Sequence, residues 1–152
     1  MQDRQLDLRE ATQEDIDRCF DIKKQSFGDY VDQVWGWEDD LQRRLHEKEF
    51  DPAKTRIIQL DGRVIGLLVV RTEDGSDWIS QIYVLPMFQN KGYGTRVIQT
   101  VIREAKEAER SVKLQVLKIN PAKKLYERLG FVVTGTNGPH HVMERKTIWS
   151  NR

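Results

Sequence analysis

Leu6 and Leu8 alternate with polar neighbours as a strand does, and after Thr12 the apolar spacing changes to that of a helix. The inward face of that helix reads Ile16, Cys19, Phe20, the aliphatic stem of Lys23 and Phe27. Gly28 to Gly36 reads as a turn-rich segment, followed by a second helix with Trp37, Leu41 and Leu45 in register. Asp61-Gly62 separates Arg56-Ile57-Ile58-Gln59-Leu60 from Val64-Ile65-Gly66-Leu67-Leu68-Val69-Val70, which is a two-residue hairpin signal. Another strand covers about Trp78 to Leu85. From Thr95 to Arg110 the positions Val97, Ile98, Val101, Ile102, Ala105 and Ala108 keep the helical period, leaving Arg103 and Glu107 to pair on the wet side. A strand over 112–117, a short helix around Tyr126 and two strands near 131–135 and 140–146 complete the expected order, β α α β β β α β α β β.

Composition narrows the class of protein. A chain of 152 residues without repeats, low-complexity segments or a dividing linker is expected to form one domain, 1–152, able to bury a sizeable core. Lysine and arginine total 25 against 24 acidic residues, so the net charge of +1 creates no field that argues for nucleic acid as the main partner. Cys19 is the single cysteine and cannot close an intramolecular disulfide. Met1-Gln2-Asp3-Arg4 lacks the layout of a signal peptide, and no apolar run reaches membrane-spanning length. A cytoplasmic protein, with no membrane partner, is the expectation.

The most informative stretch is Gln89-Asn90-Lys91-Gly92-Tyr93-Gly94, between the strand ending at Leu85-Pro86 and the helix pattern from Thr95. A strand that feeds a glycine-bearing turn and a helix start aims several backbone N–H groups at one point, with the positive end of the helix dipole behind them. Such a turn suits a phosphate or pyrophosphate, and Lys91 adds charge. Glycines at 92 and 94 permit positive φ and remove the Cβ atoms that would hold a ligand away from the backbone. The Walker pattern is absent, since Thr95-Arg96 follows Gly94. A dinucleotide-binding turn is also disfavoured: position 97 is Val, and the next strand, Val112-Lys113-Leu114-Gln115-Val116, ends without the acidic residue that would hold a ribose.

Downstream, Asn120-Pro121-Ala122-Lys123-Lys124-Leu125-Tyr126-Glu127-Arg128-Leu129-Gly130-Phe131 reads as a complete short helix. Asn120 can cap it, Pro121 suits its first position, Leu125 and Leu129 share a face, and Gly130 can end it. Tyr126 lies one position around from that leucine seam, where its hydroxyl could reach the neighbouring sheet.

Gln89-x-x-Gly92-x-Gly94 after one strand and Asn120-x-x-x-x-Leu125-Tyr126-x-x-x-Gly130-Phe131 after the next together resemble the GNAT superfamily of acyl-CoA-dependent N-acyltransferases, over nearly the whole chain. The resemblance implies an α/β fold with a mixed sheet and helices on both faces, a three-layer α/β/α arrangement. It further implies acetyl-CoA as cosubstrate and an amine as acceptor, with no metal. Carried onto matching positions, the pyrophosphate loop is Gln89, Asn90, Lys91, Gly92, Tyr93 and Gly94, with Thr95 at the helix start. Ile82, Tyr83 and Val84 would pair with the pantetheine arm through their backbone, Asn120 would contact the cofactor, and Tyr126 would both border it and protonate the departing thiolate. A homodimer is compatible with the family. The strand before the loop carries Ser80 and Gln81 but no glutamate, where some members place a general base, so the base stays open.

A lysine-type amine with a pKa of about 10.4 is mostly protonated at neutral pH, so something must take its proton before it attacks. His140, His141, Glu144, Glu38 or a chain of waters are the candidates; the blander reading makes the histidines surface residues of a turn and Glu38 a helix-dipole partner. His46, on a charged helix surface, reads as structural. A backbone N–H near Val84 would hold the oxyanion formed on attack. Tyr30, Trp35 and Trp37, interleaved with Asp29, Asp32, Glu38, Asp39 and Asp40, form an aromatic and acidic stretch that would suit a cationic amine; Tyr30, Trp35 and Glu38 are the candidate substrate contacts. The equally weighted alternative makes Trp37 core and the acids a helix start. The leading function is acetyl transfer from acetyl-CoA to a primary amine of a small molecule, peptide or protein, by direct attack in a ternary complex. Its rivals are a protein N-terminal acetyltransferase, a non-catalytic acyl-CoA-binding module, and an interaction domain whose glycines are only turns.

Overall fold

The computed structural model describes residues 4–147. Its strands are β1 (Leu6–Glu10), β2 (Thr55–Leu60), β3 (Arg63–Glu73), β4 (Ser76–Val84), β5 (Ser111–Leu117), β6 (Val132–Asn137) and β7 (His140–Arg145). The α-helices are α1 (Ile16–Trp35), α2 (Asp39–Glu49), α3 (Tyr93–Glu107) and α4 (Ala122–Arg128), so the order is the one the apolar pattern predicts. Strands join in one seven-stranded sheet ordered β1-β2-β3-β4-β5-β7-β6, parallel between β4 and β5 and antiparallel between β1 and β2, β2 and β3, β5 and β7, and β6 and β7. By density of contacts the chain forms two compact units, one running to Val69 together with Gln81–Gly94, the other comprising Val70–Ser80 and the chain from Thr95 onward.

In the first unit, Asp61 (φ 50°) and Gly62 (φ 83°) close the β2–β3 hairpin, both left-handed as a two-residue turn of this twist requires. Ile57, Ile58, Leu60, Ile65, Leu67 and Leu68 are buried, which is why β2 and β3 read as near-continuous apolar runs rather than alternating ones. Cys19 and Ile22 of α1 pack with Ala11, Ile57 and Leu67, and burial pushes the Cys19 thiol up to about 12, which makes it an inert core residue.

Two sequence expectations fail in this unit. Gly28 to Gly36 is not a turn-rich segment, because α1 continues through it to Trp35 and ends at Gly36, with φ 81°. A glycine inside a helix costs about 1 kcal/mol relative to alanine, too little to stop a helix that goes on burying Val31 and seating Phe27 against its neighbours. Nor do Leu41 and Leu45 form the inward face of α2, since they are 38% and 40% exposed. The buried residue is His46, whose Nε2 lies 2.7 Å from the Ile16 carbonyl oxygen and whose ring packs against Phe20 and Phe50. Burial lowers its pKa, which keeps it neutral. His46 is structural as expected, but as a core residue rather than a surface one.

Asp15 secures the start of α1. Both Arg9 Nη atoms donate to its carboxylate at 3.0 Å, the Thr12 N–H donates at 2.9 Å, and the Arg9 guanidinium first among these holds its pKa down at about 2. A carboxylate depressed in the folded state adds stability above its unfolded pKa and loses it as pH falls through the folded value. Asp15→Asn is therefore expected to lower unfolding free energy at pH 7 by about 2 kcal/mol, read from the urea midpoint. The difference from wild type should shrink between pH 4 and pH 2.

The second unit opens where both strands outrun their expected bounds: β3 runs on to Glu73 and β4 begins at Ser76, with Asp74 and Gly75 left-handed between them. Buried Asp77 accepts from Arg110 Nε and from the Thr72 hydroxyl, both at 2.8 Å. Helix α3 buries Val97, Ile98, Val101 and Ala105 on one face as its period predicts. Ala108 is exposed, one residue past its end. On β5 the buried residues are Val112, Leu114, Val116 and Leu117; Leu114 stands opposite Met143 of β7, which is fully buried.

Candidate functional site

The first unit holds the strand and loop expected to meet the cofactor. Strand β4 is paired with β5 from Ser76↔Ser111 to Ile79↔Leu114, and Ile82, Tyr83 and Val84 follow the last of those pairs. Leu85 ends the strand by donating its N–H to the Ile65 carbonyl at 2.8 Å, and a single turn of 3-10 helix, Pro86–Phe88, leads into the loop. Gln89 Nε2 donates back to the Val84 carbonyl at 2.8 Å, joining loop to strand. Asn90 (φ 61°) and Gly92 (φ 87°) are both left-handed, so successive peptide groups turn into a concave run that ends at α3.

Two loop residues, Tyr93 and Gly94, differ from their sequence reading. Helix α3 begins at Tyr93 rather than near Thr95, which places Tyr93, Gly94 and Thr95 in its first turn, where N–H groups lack intrahelical partners. Gly94 consequently does not take a positive φ. Its use is space: a Cβ built on Gly94, like one on Gly92, meets nothing within 4 Å. The Tyr93 side chain is buried, which leaves its backbone as the part able to meet a ligand. Lys91 is exposed. Open space over two glycines, left-handed turns and a helix start fit a pyrophosphate-bearing ligand.

In the second unit, Asn120 Oδ1 accepts the Ala122 N–H at 2.9 Å, and the cap position of α4 is Pro121, one residue later than expected. Tyr126 is the buried residue of α4, 8% exposed, while Leu125 and Leu129 are only half-buried. Its ring meets Phe131 edge-on at 5.9 Å, and burial pushes its hydroxyl up to about 12. Gly130 (φ 95°) ends the turn, and Arg145 Nε donates to the Leu129 carbonyl at 2.9 Å. His140 and His141 are not in a turn; they are the first residues of β7, opposite Leu117 and Val116. His141 Nδ1 is buried without a hydrogen-bond partner, and Glu144 pairs across the sheet with Lys113 in register. The Ser80 hydroxyl accepts from Arg71 Nε at 2.7 Å.

Along the acceptor stretch, Tyr30 stands half-buried on α1 with its ring 5.8 Å from Phe27, which in turn lies 5.2 Å from Tyr83 of β4. Trp35 is 58% exposed at the end of α1, and Glu38 is exposed just before α2. Two of the other acids are engaged in structure: Asp32 accepts the Trp37 N–H at 2.9 Å, and Asp39 accepts from Trp37 Nε1 and from Lys24 Nζ. Trp37 itself packs near Phe20. Tyr30 is thus linked through Phe27 to the Tyr83 ring of β4. Phe27 was readable only as core, because nothing in a helical period tells which element covers a given face. Among the described residues no cluster of three or more histidine, cysteine, aspartate or glutamate side chains could hold a metal ion, and no helix is long and apolar enough to cross a membrane.

Parallel pairing of β4 with β5 over four residues, with a glycine turn leading from β4 into α3, is the arrangement that the resemblance implied. The model of the acetyltransferase (GNAT) family matches residues 12–131, and the chain belongs to that family. A mycothiol acetyltransferase from Thermomonospora curvata is 34% identical over 118 residues, covering 72% of this chain; the match spans 38% of that relative's own length. The fold is shared with a PaiA N-acetyltransferase from Thermoplasma acidophilum in complex with coenzyme A, with a TM-score of 0.77, 16% identity, and coverage of 93% of this chain and 99% of the other. It is shared too with the ribosomal-protein-S18-alanine N-acetyltransferase from Escherichia coli, with a TM-score of 0.72, 15% identity and coverage of 97% of both chains.

Proposed function

We propose that the protein transfers an acetyl group from acetyl-CoA to a primary amine of a small molecule or peptide, by direct attack while both substrates are bound. The observation that carries this reading is the Gln89–Gly94 turn, where left-handed Asn90 and Gly92 open into α3 with clear space above both glycines. In this reading the amides from Lys91 to Thr95 bind the pyrophosphate, and the backbone of Ile82 to Val84 pairs with the pantetheine arm. Asn120 contacts the cofactor, and Tyr126 donates to the departing sulfur. Tyr30, Trp35 and Glu38 border the amine. His141 is the strongest of the candidate bases, because a buried and unpartnered ring nitrogen carries a desolvation cost that a substrate hydrogen bond or a water would offset. The bound coenzyme A in the Thermoplasma acidophilum structure of the same fold supports the choice of cosubstrate.

The test has two arms. Saturating acetyl-CoA should stabilise the folded protein, by about 2.7 kcal/mol at a hundredfold excess over its Kd, which appears as a rise in Tm. CoA release should then follow when a panel of small amines and peptides with free N-termini is supplied. An unmoved Tm at millimolar acetyl-CoA overturns the reading, and a shift without CoA release on any amine makes the protein an acyl-CoA-binding module.

A further inference from the structure

Gly66 lies in the middle of β3, in an apolar run where any small or branched residue would satisfy the hydrophobic pattern. The structure gives it a narrower requirement. A Cβ built on Gly66 would fall 2.2 Å from the carbonyl oxygen of Tyr83 and 3.2 Å from Ile58 Cδ1. Backbone, unlike the end of a flexible side chain, cannot swing aside from such an overlap, and a glycine in a strand interior commonly marks this kind of close approach. The β2–β3 register shifts at the same place: Ile58 pairs with Gly66 but Gln59 pairs with Val64, so Ile65 is an extra residue against β2. Bulge and glycine together admit the Tyr83 carbonyl against β3.

Tyr83 is thus held on both sides, its carbonyl by β3 and its ring by Phe27 at 5.2 Å. Successive peptide groups of an extended strand point to opposite edges, so turning the Tyr83 carbonyl toward β3 turns the backbone groups of Ile82 and Val84 toward the other edge. The Val84 carbonyl, which accepts Gln89 Nε2, already faces away from β3. We propose that Gly66 is the positioning residue for acyl-CoA, fixing through Tyr83 the orientation of the Ile82 and Val84 backbone groups that read the pantetheine arm. This rests on the proposed function, in which β4 carries that arm.

The experiment compares acetyl-CoA Kd and steady-state constants for wild type, Gly66→Ala, the double variant Gly66→Ala/Ile58→Val, and Val69→Ala as a packing control on the same strand, each assayed well below its own Tm. Because misplacing a binding group by about 1 Å can cost up to about a hundredfold, Gly66→Ala should weaken acetyl-CoA binding by at least about tenfold, while Val69→Ala lowers Tm with Kd nearly unchanged. Ile58→Val removes the Cδ1 contact only and should not restore affinity, since the carbonyl overlap remains. Restored affinity in the double variant, or a folded Gly66→Ala with wild-type Kd, overturns the inference. Should Gly66→Ala fail to fold, CoA titration of labelled wild-type protein decides: the Gly66 resonances should move more than those of Val69, and a silent Gly66 overturns it. A wild-type protein that does not bind CoA would instead defeat the functional reading itself.

Discussion

Tyr126→Phe should lower kcat by about 10²- to 10⁴-fold, the range typical of a positioned acid or base, while leaving the Tm and the acetyl-CoA stabilisation close to wild type. Only the hydroxyl is removed, and the ring keeps its edge contact with Phe131. Burial pushes that hydroxyl up to about 12, so it stays protonated through neutral pH. In the proposed reading the Tyr126 hydroxyl hydrogen-bonds the sulfur as charge gathers there and hands over its proton as the C–S bond breaks. The measurement is CoA release at matched folded concentration. An unchanged kcat removes Tyr126 from the mechanism, and lost stability with an intact rate makes it a packing residue.

Gly92→Val should abolish the stabilisation by acetyl-CoA and with it the activity. At φ 87° a branched side chain is strained by a few kcal/mol, although nothing within 4 Å obstructs it. The loop can relieve that strain only by giving up the turn that aims its amides. Gly94→Ala separates shape from access, because Gly94 sits in the first turn of α3 without a positive φ. Its Tm should stay at or slightly above wild type while acetyl-CoA binding weakens, since the added methyl occupies space that the pyrophosphate needs. Calorimetric titration of both variants checks this pair, and wild-type affinity in Gly92→Val would remove the loop from the binding site.

Much of this architecture was legible in advance because it depends on local chemistry. Asp61-Gly62 announces its own turn, the period of Val97, Ile98 and Val101 announces its own helix, and the Gln89–Gly94 segment announces a turn between strand and helix. What escaped depends on contacts between elements distant in sequence. Gly28 suggested a break because glycine disfavours helix, yet burial of Val31 outweighs a single residue's propensity. His46 in a charged helix suggested surface, yet the Ile16 carbonyl thirty residues away gives it a partner and a reason to be buried. Tyr126 stood beside an apparent leucine seam, and only the packing of α4 shows that the tyrosine is the inward residue. Gly66 carried no signal, because a glycine among aliphatic residues fits the pattern equally well whether or not another backbone needs its space.

The hydrogen bond from Gln89 to the Val84 carbonyl has a thermodynamic consequence. It closes a small ring across five residues, between a segment proposed to read phosphates and one proposed to read an amide-bearing chain, so their relative orientation is settled during folding rather than at the moment of encounter. A ligand that meets both segments then loses its own freedom without also having to order the protein's, and the two ends of a long flexible molecule engage as neighbours on one surface, in the manner of a bivalent contact with a short stiff tether.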